Sequence, residues 1–323
     1  MKVLVTGGAG FIGSHLVKTL LGRGDSVSVI DNFNDYYDPA LKRENLVAFT
    51  GDPAFTLHIA DIRDAVAVAS VMDSERPDVV CHLAARAGVR PSIKDPVLYE
   101  QTNCLGTMNI LEAVKDKGVK NFVFASSSSV YGEDSKSPFS EDAPVGRPIS
   151  PYAATKRAGE LMLYTYAHLY GLPVTCLRFF TVYGERGRPD MAVARFTRFI
   201  DEGSALPVYG DGTARRDFTY IGDIVKGVVS AIDQPRGYEI INIGGSGVIE
   251  VNRLIEVIEE RLGKKAVIDY AEPFAGDVPL TCADTGKEER LLGFVPAVDI
   301  VEGIDRYVTW YLRRKDRLKG AKG

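Results

Sequence analysis

The chain has 323 residues, 45% hydrophobic and 25% charged, the composition of an ordinary soluble globular protein long enough for a large core and two subdomains. A formal charge of −4 gives no electrostatic reason to expect nucleic acid or an anionic membrane as a partner. No stretch approaches the roughly 18 apolar residues a membrane span needs.

Met1-Lys2-Val3-Leu4-Val5 leads straight into a glycine turn and does not read as a signal peptide. Cys81, Cys104, Cys176 and Cys282 are scattered, with no Cys-x-x-Cys pair. Three lie in apolar surroundings and read as small buried hydrophobes, Cys282 receives no role, and the cytoplasm is the expected compartment. The pattern calls for no metal.

Apolar, β-branched runs predict strands at 2–6, 26–30, 55–59, 79–83, 122–125 and 174–179. Helical patterns fall between them near 12–22, 64–73, 98–117 and 151–170. Alternation at this spacing implies βαβ units in a doubly wound, Rossmann-like parallel sheet. Beyond about residue 180 the chain becomes rich in Gly, Pro and Arg. It rejoins the sheet near 240–243, and ends in helices near 251–262 and 300–314 with a basic, frayed tail at 313–323. The division expected is a nucleotide-binding domain at 1–180 with a returning segment at about 217–245. A smaller C-terminal substrate-binding domain takes 181–216 and 246–323.

Thr6-Gly7-Gly8-Ala9-Gly10-Phe11-Ile12-Gly13 links the first strand to the first helix. Glycines there let the backbone approach a pyrophosphate, whose charge meets the helix N-terminus. Gly7, Gly10, Phe11, Ile12 and Gly13 are therefore cofactor candidates, at a spacing one residue looser than the three-glycine dinucleotide fingerprint. Asp31 ends the second strand 18 residues after Gly13. With Asn32 it suits an adenosine ribose, repels a 2′-phosphate and favours NAD over NADP; the bland alternative is a turn residue. Asp61 and Ile62 follow the third strand, where an adenine can be gripped. Leu83, Ala84 and Ala85 end the fourth with small residues that permit close passage.

Ser126-Ser127-Ser128-Ser129 follows the fifth strand, where open parallel sheets bind ligands. Ser127 is chosen to hold a reacting hydroxyl, with Ser128 beside it; a self-satisfying polar loop is the alternative. Ser150 is a good N-cap and Pro151 suits the first helical position. That places Tyr152 in the first turn and Lys156 in the second, on one face. A nearby ammonium draws a phenol pKa down from about 10 toward the range of a general base.

Together these residues resemble the extended short-chain dehydrogenase/reductase family, particularly its nucleotide-sugar epimerases. Three blocks resemble the UDP-glucuronate 4-epimerase group more narrowly. They are Asp31-Asn32-Phe33-Asn34-Asp35-Tyr36-Tyr37-Asp38, His82-Leu83-Ala84-Ala85-Arg86-Ala87-Gly88-Val89-Arg90 and Gly187-Arg188-Pro189-Asp190-Met191. The resemblance implies a tightly held NAD, with Tyr152 as base for the sugar 4-hydroxyl. Lys156 would lower the Tyr152 pKa and bond the nicotinamide ribose, and a 4-keto sugar would turn over before reduction. It implies a homodimer through the helices near 98–117 and 151–170. Asn103 matches a position near the cofactor, or is a helix-surface amide. Arg90, Thr181, Arg188, Tyr209 (toward uracil), Arg216 (toward phosphates) and Asp277 are the implied substrate residues. Where hexose epimerases carry an arginine before Gly276-Asp277, this chain has Glu272-Pro273-Phe274-Ala275. Arg188, Thr181 and the serines are expected to clamp a uronate carboxylate. The alternatives are UDP-glucose or UDP-N-acetylglucosamine 4-epimerisation, UDP-glucuronate decarboxylation, and a non-catalytic NAD-binding redox sensor.

Overall fold

Strands separated by a helix's length of chain can pair only in parallel, because the crossover must return over the sheet face. The computed structural model, which describes residues 1–133, 136–245, 247–272 and 280–320, follows that rule. Its strands in chain order are β1 (Lys2–Thr6), β2 (Ser26–Asp31), β3 (Phe55–Ile59), β4 (Val79–His82), β5 (Asn121–Ser127), β6 (Val174–Phe179), β7 (Thr181–Tyr183), β8 (Ala205–Tyr209), β9 (Arg215–Tyr220), β10 (Tyr238–Ile243), β11 (Val248–Glu250) and β12 (Val267–Ala271). Seven form one parallel sheet in the order β10-β6-β5-β4-β1-β2-β3. The winding reverses between β1 and β4, so the crevice that binds ligands in such sheets opens above their C-terminal ends.

The expected strands lie within a few residues of the observed ones. One extension matters: β5 runs on to Ser127, so the first two serines are strand rather than loop. The helix expected at 98–117 is interrupted. Pro96–Glu100 and Gly106–Val114 flank a π turn at Gln101–Leu105. Its extra residue coincides with a buried amide, Asn103. The last helix runs through Ile300–Gly320 instead of fraying near 313. Arg314 reaches Glu44 at 2.7 Å, and Lys315 pairs with Asp201.

The second lobe holds a three-stranded sheet, β11-β9-β7, and the pair β12-β8. The expected return at 217 is shifted, because β9 belongs to the small sheet. The helix Ile221–Asp233, packed on Phe11–Gly22, is the first element back against the main sheet. Apolar side chains run without a break from Val3 and Leu16 through Leu177 to Ile224, Leu254 and Ile304, so both lobes share one core. Among the described residues no helix is long and apolar enough to cross a membrane.

Beneath the serine run, Arg178 on β6 meets Glu160 on the helix Pro151–Tyr170. Nε donates to Oε1 at 2.8 Å and Nη2 to Oε2 at 2.9 Å, with both side chains buried. Ser126 donates to the same carboxylate at 2.6 Å, and Arg157 at 2.9 Å. A buried charge left without its partner is costly. Glu160→Gln or Arg178→Met alone is expected to lose about 3–5 kcal/mol of stability. The two together should lose less than the sum, a difference that denaturant unfolding of the three variants measures.

Candidate active site

The main cavity has a volume of about 560 Å³ and lies over the ends of β1, β2, β4 and β5. Its floor is the glycine turn. Gly7 adopts φ +72°, and a Cβ there would lie 2.8 Å from the Ala84 nitrogen. A Cβ at Gly13 would lie 2.2 Å from the Gly7 carbonyl oxygen. Gly7 thus answers to the turn and to β4, Gly13 to the seating of the helix, and Gly10 lines the cavity. The helix Phe11–Gly22 has no side-chain N-cap, which leaves its first N–H groups to an anion. Phe11 and Ile12 also line the cavity.

Asp31 ends β2 as expected and lines the cavity. Its oxygens accept from the Ala9 N–H at 3.0 Å and the Phe33 N–H at 2.9 Å, and burial raises its pKa. It therefore ties the glycine turn to the sheet as well as facing the ligand space. Asn32 donates to Asp61 at 2.9 Å. The Arg63 fork holds Asp61 far down, at about 2. Ile62, Leu83, Ala84 and Ala85 complete this wall. Asn34 and Tyr37 join them from the loop after β2, and Lys42 from the short helix Pro39–Leu46. The Tyr37 hydroxyl is buried without a hydrogen-bond partner. A glycine cradle, an uncapped helix end, a ribose-side carboxylate and an orphaned hydroxyl together fit a dinucleotide.

At the other end Tyr152, Lys156 and Ser127 converge. The helix starts as the sequence predicts: Ser150 Oγ accepts the Ala153 N–H at 3.1 Å and Pro151 opens the first turn. Lys156 Nζ donates to the Ala125 carbonyl at 2.7 Å, 6.0 Å from the Tyr152 ring centre. Burial lowers the Lys156 pKa to about 8. The expected fall in the Tyr152 pKa does not occur: burial raises it, against a Ser127 hydrogen bond and the charge of Arg188. The cation whose charge opposes that rise is Arg188.

Ser127 faces the cavity, and Ser129 donates its N–H to Ser127 Oγ at 3.2 Å. Ser128 is not in the wall; Ser129 takes that place. Asn103 is buried rather than a surface amide, and it does not line the cavity. It donates to the Arg86 carbonyl at 2.9 Å and to Thr155 at 3.0 Å, and accepts from the Arg86 N–H at 2.8 Å. It pins the loop after β4 to the residue preceding Lys156.

Arg90, Thr181 and Arg188 line the cavity, whereas Tyr209 and Arg216 lie outside its wall. The Tyr209 ring carries the Arg90 guanidinium at 3.8 Å, so that face is not open to a base. Arg216 Nη1 donates to the Arg215 carbonyl at 3.0 Å. Asp277 lies outside the described residues. Sequence reasoning missed Tyr36, Tyr37, Lys42, Ser129 and Asp190 as cavity residues. The signal was present for three of them, Tyr36, Tyr37 and Asp190, in the two blocks already singled out around Asp31 and Arg188.

The sequence model of the NAD dependent epimerase/dehydratase family matches residues 3–244. A UDP-glucuronate 4-epimerase of Thermodesulfobacterium geofontis is 45% identical over 320 residues, spanning 99% of this chain and 98% of its own. The crystal structure of a Bacillus cereus UDP-glucuronic acid 4-epimerase, in complex with UDP-glucuronic acid and NAD, superposes with a TM-score of 0.92 at 37% identity, covering 97% of this chain and all of that one. A Thermotoga maritima UDP-glucose 4-epimerase with UDP-glucose gives a TM-score of 0.90 at 34% identity over 98% of this chain and all of that one.

Lys156 carries a stability cost with a defined pH window. Its pKa is near its ordinary 10.5 in the unfolded chain and about 8 in the folded one. Between those values the unfolded chain binds more protons, so this group's contribution to stability rises with pH. Lys156→Met is expected to be more stable than the parent below pH 8, with the gain fading toward pH 10.5. Denaturant unfolding of the NAD-free proteins across that range checks it.

Proposed function

The chain belongs to the NAD dependent epimerase/dehydratase family, and from that premise we propose that it epimerises UDP-glucuronate at carbon 4, giving UDP-galacturonate through a transient 4-keto sugar. The observation that carries the choice of a uronate is Arg188. It places a guanidinium in the cavity wall close enough to act on the Tyr152 phenol, with Thr181 beside it. A neutral hexose gives that charge nothing to bind, whereas a carboxylate matches its planar fork.

NAD, when bound on the glycine cradle, supplies the acceptor and donor of hydride. Tyr152 Oη takes the proton from the sugar 4-hydroxyl and returns it after the keto sugar has turned. Ser127, hydrogen-bonded to that phenol, holds the reacting oxygen and stabilises developing phenolate. Lys156, anchored on Ala125, presents its ammonium to the ribose side. A 4-keto uronate is a β-keto acid and loses carbon dioxide readily. Holding the carboxylate in the plane of Arg188, away from the geometry that breaks the carbon–carbon bond, is what separates epimerisation from decarboxylation. The UDP moiety is assigned to the second lobe, built from residues 181–216 and 246–323, with residues 1–180 and the return through β10 as the nucleotide-binding domain. The four free thiols suit a reducing cytoplasm.

Steady-state assays on UDP-glucuronate, UDP-glucose and their N-acetyl counterparts, with carbon dioxide followed, test the reading. UDP-galacturonate should be the main product, and Tyr152→Phe should lower kcat by about 10²–10⁴-fold. Arg188→Ala should erode the preference for the uronate and release more carbon dioxide. An unchanged rate and product ratio in Arg188→Ala would refute the clamp.

We also propose a homodimer. Leu161 and Leu169 on the helix Pro151–Tyr170 are 51% and 67% exposed, and Val97 and Leu105 on the preceding helical run are 63% and 46% exposed. Such apolar side chains on adjacent helices suit a four-helix contact with a second copy. Light scattering should give twice the chain mass for the parent and a single chain mass for Leu161→Arg.

A further inference from the structure

The sequence assigned Arg188 to the substrate, yet one edge of its guanidinium is already engaged. Nε donates to Asp190 Oδ1 and Nη2 to Asp190 Oδ2, both at 3.0 Å. A guanidinium has five N–H donors in a rigid fork. A carboxylate on the Nε edge leaves Nη1 and the second Nη2 hydrogen for another. Tyr36 supports the arrangement twice: its ring lies 5.5 Å below the Arg188 guanidinium, and its hydroxyl donates to Asp190 Oδ2 at 3.2 Å. The Tyr99 side chain is the next neighbour of Tyr36. Tyr99 donates to the Ala87 carbonyl at 2.7 Å, and its ring stands edge-on to Tyr152 at 6.3 Å and 85°.

We propose that Asp190, backed by Tyr36, is a positioning residue that fixes the Arg188 fork relative to Tyr152 and so sets the preference for a substrate carboxylate. This rests on the reading that Arg188 receives that carboxylate. A free arginine loses rotamer freedom when it binds a ligand, and fixing it beforehand removes that cost. The chain Tyr152–Tyr99–Tyr36–Asp190–Arg188 also places the base and the fork in one frame. A misplacement of about 1 Å in such a frame costs up to a hundredfold in rate. Asp190 carries a negative charge, which repels a substrate carboxylate. Its side chain is 44% exposed, so water screens that repulsion, whereas the bidentate geometry acts directly on the fork.

The test compares binding of UDP-glucuronate and of UDP to the NAD-bound enzyme by calorimetry, with kcat and the carbon dioxide fraction measured alongside. Asp190→Asn is expected to weaken UDP-glucuronate by about tenfold to a hundredfold while UDP binding stays unchanged, and to raise the carbon dioxide fraction. Asp190→Glu should restore part of the affinity, and Tyr36→Phe should give a smaller change of the same sign. A purely structural role would weaken both ligands equally, and would overturn the proposal. So would tighter uronate binding in Asp190→Asn, the signature of relieved repulsion, or no change at all. Arg188→Ala separates the two levels. If it removes the advantage of UDP-glucuronate over UDP and Asp190→Asn does not, positioning fails and the uronate reading stands. If Arg188→Ala leaves that advantage intact, the uronate reading fails.

Discussion

A buried carboxylate with three donors, Glu160, holds together the end of the molecule where Tyr152, Lys156 and Ser127 converge. Arg178 grips it from β6, Ser126 from the end of β5 and Arg157 from its own helix. Glu160 lies one helical turn beyond Lys156, so these bonds set the rotation of the helix that carries Tyr152 and Lys156. They also commit the Ser126 hydroxyl to the carboxylate, whereas Ser127, next along the strand, keeps its own facing the cavity. Tyr238 on β10 adds a bond to the Glu160 carbonyl at 2.9 Å, extending the anchor to the sheet edge. Burying such a network is not a cheap route to stability, since desolvation offsets much of the attraction. What it provides is a single geometry for three residues on two elements.

That geometry moves the pKa values of Tyr152 and Lys156 in opposite directions. Burial raises the Tyr152 phenol and lowers the Lys156 ammonium. Two groups spaced four residues apart on a helix are expected to act as a charge pair. Here desolvation dominates both, and Lys156 donates one of its N–H groups to a backbone carbonyl. Phenolate character therefore depends on Ser127 and Arg188 as well. Arg188, which we propose selects the substrate, also weighs on the acidity of Tyr152.

Much of this was legible in the sequence. The parallel sheet followed from alternating apolar runs, and the glycine turn and Asp31 from their places at strand ends. The start of the catalytic helix followed from Ser150 and Pro151. These are local signals, and local structure obeys them. What could not be read depends on which side chains meet across the fold. Asn103 looked like a helix residue near a cofactor, but a π turn directs it to the Arg86 backbone. Tyr209 looked free on both ring faces, but Arg90 from another element lies over one of them. The direction of the Tyr152 shift was missed because spacing shows a neighbour's charge and not the depth of burial.

The two lobes rest on one apolar core that runs from Val3 to Ile304. Elements from both ends of the chain are interleaved in it, and the chain crosses between lobes more than once. Neither half of the molecule retains a complete interior if it is cut away. Its second lobe is consequently not a module that recombination can exchange for another specificity. New substrates must be reached by changing individual side chains of the cavity wall, one position at a time.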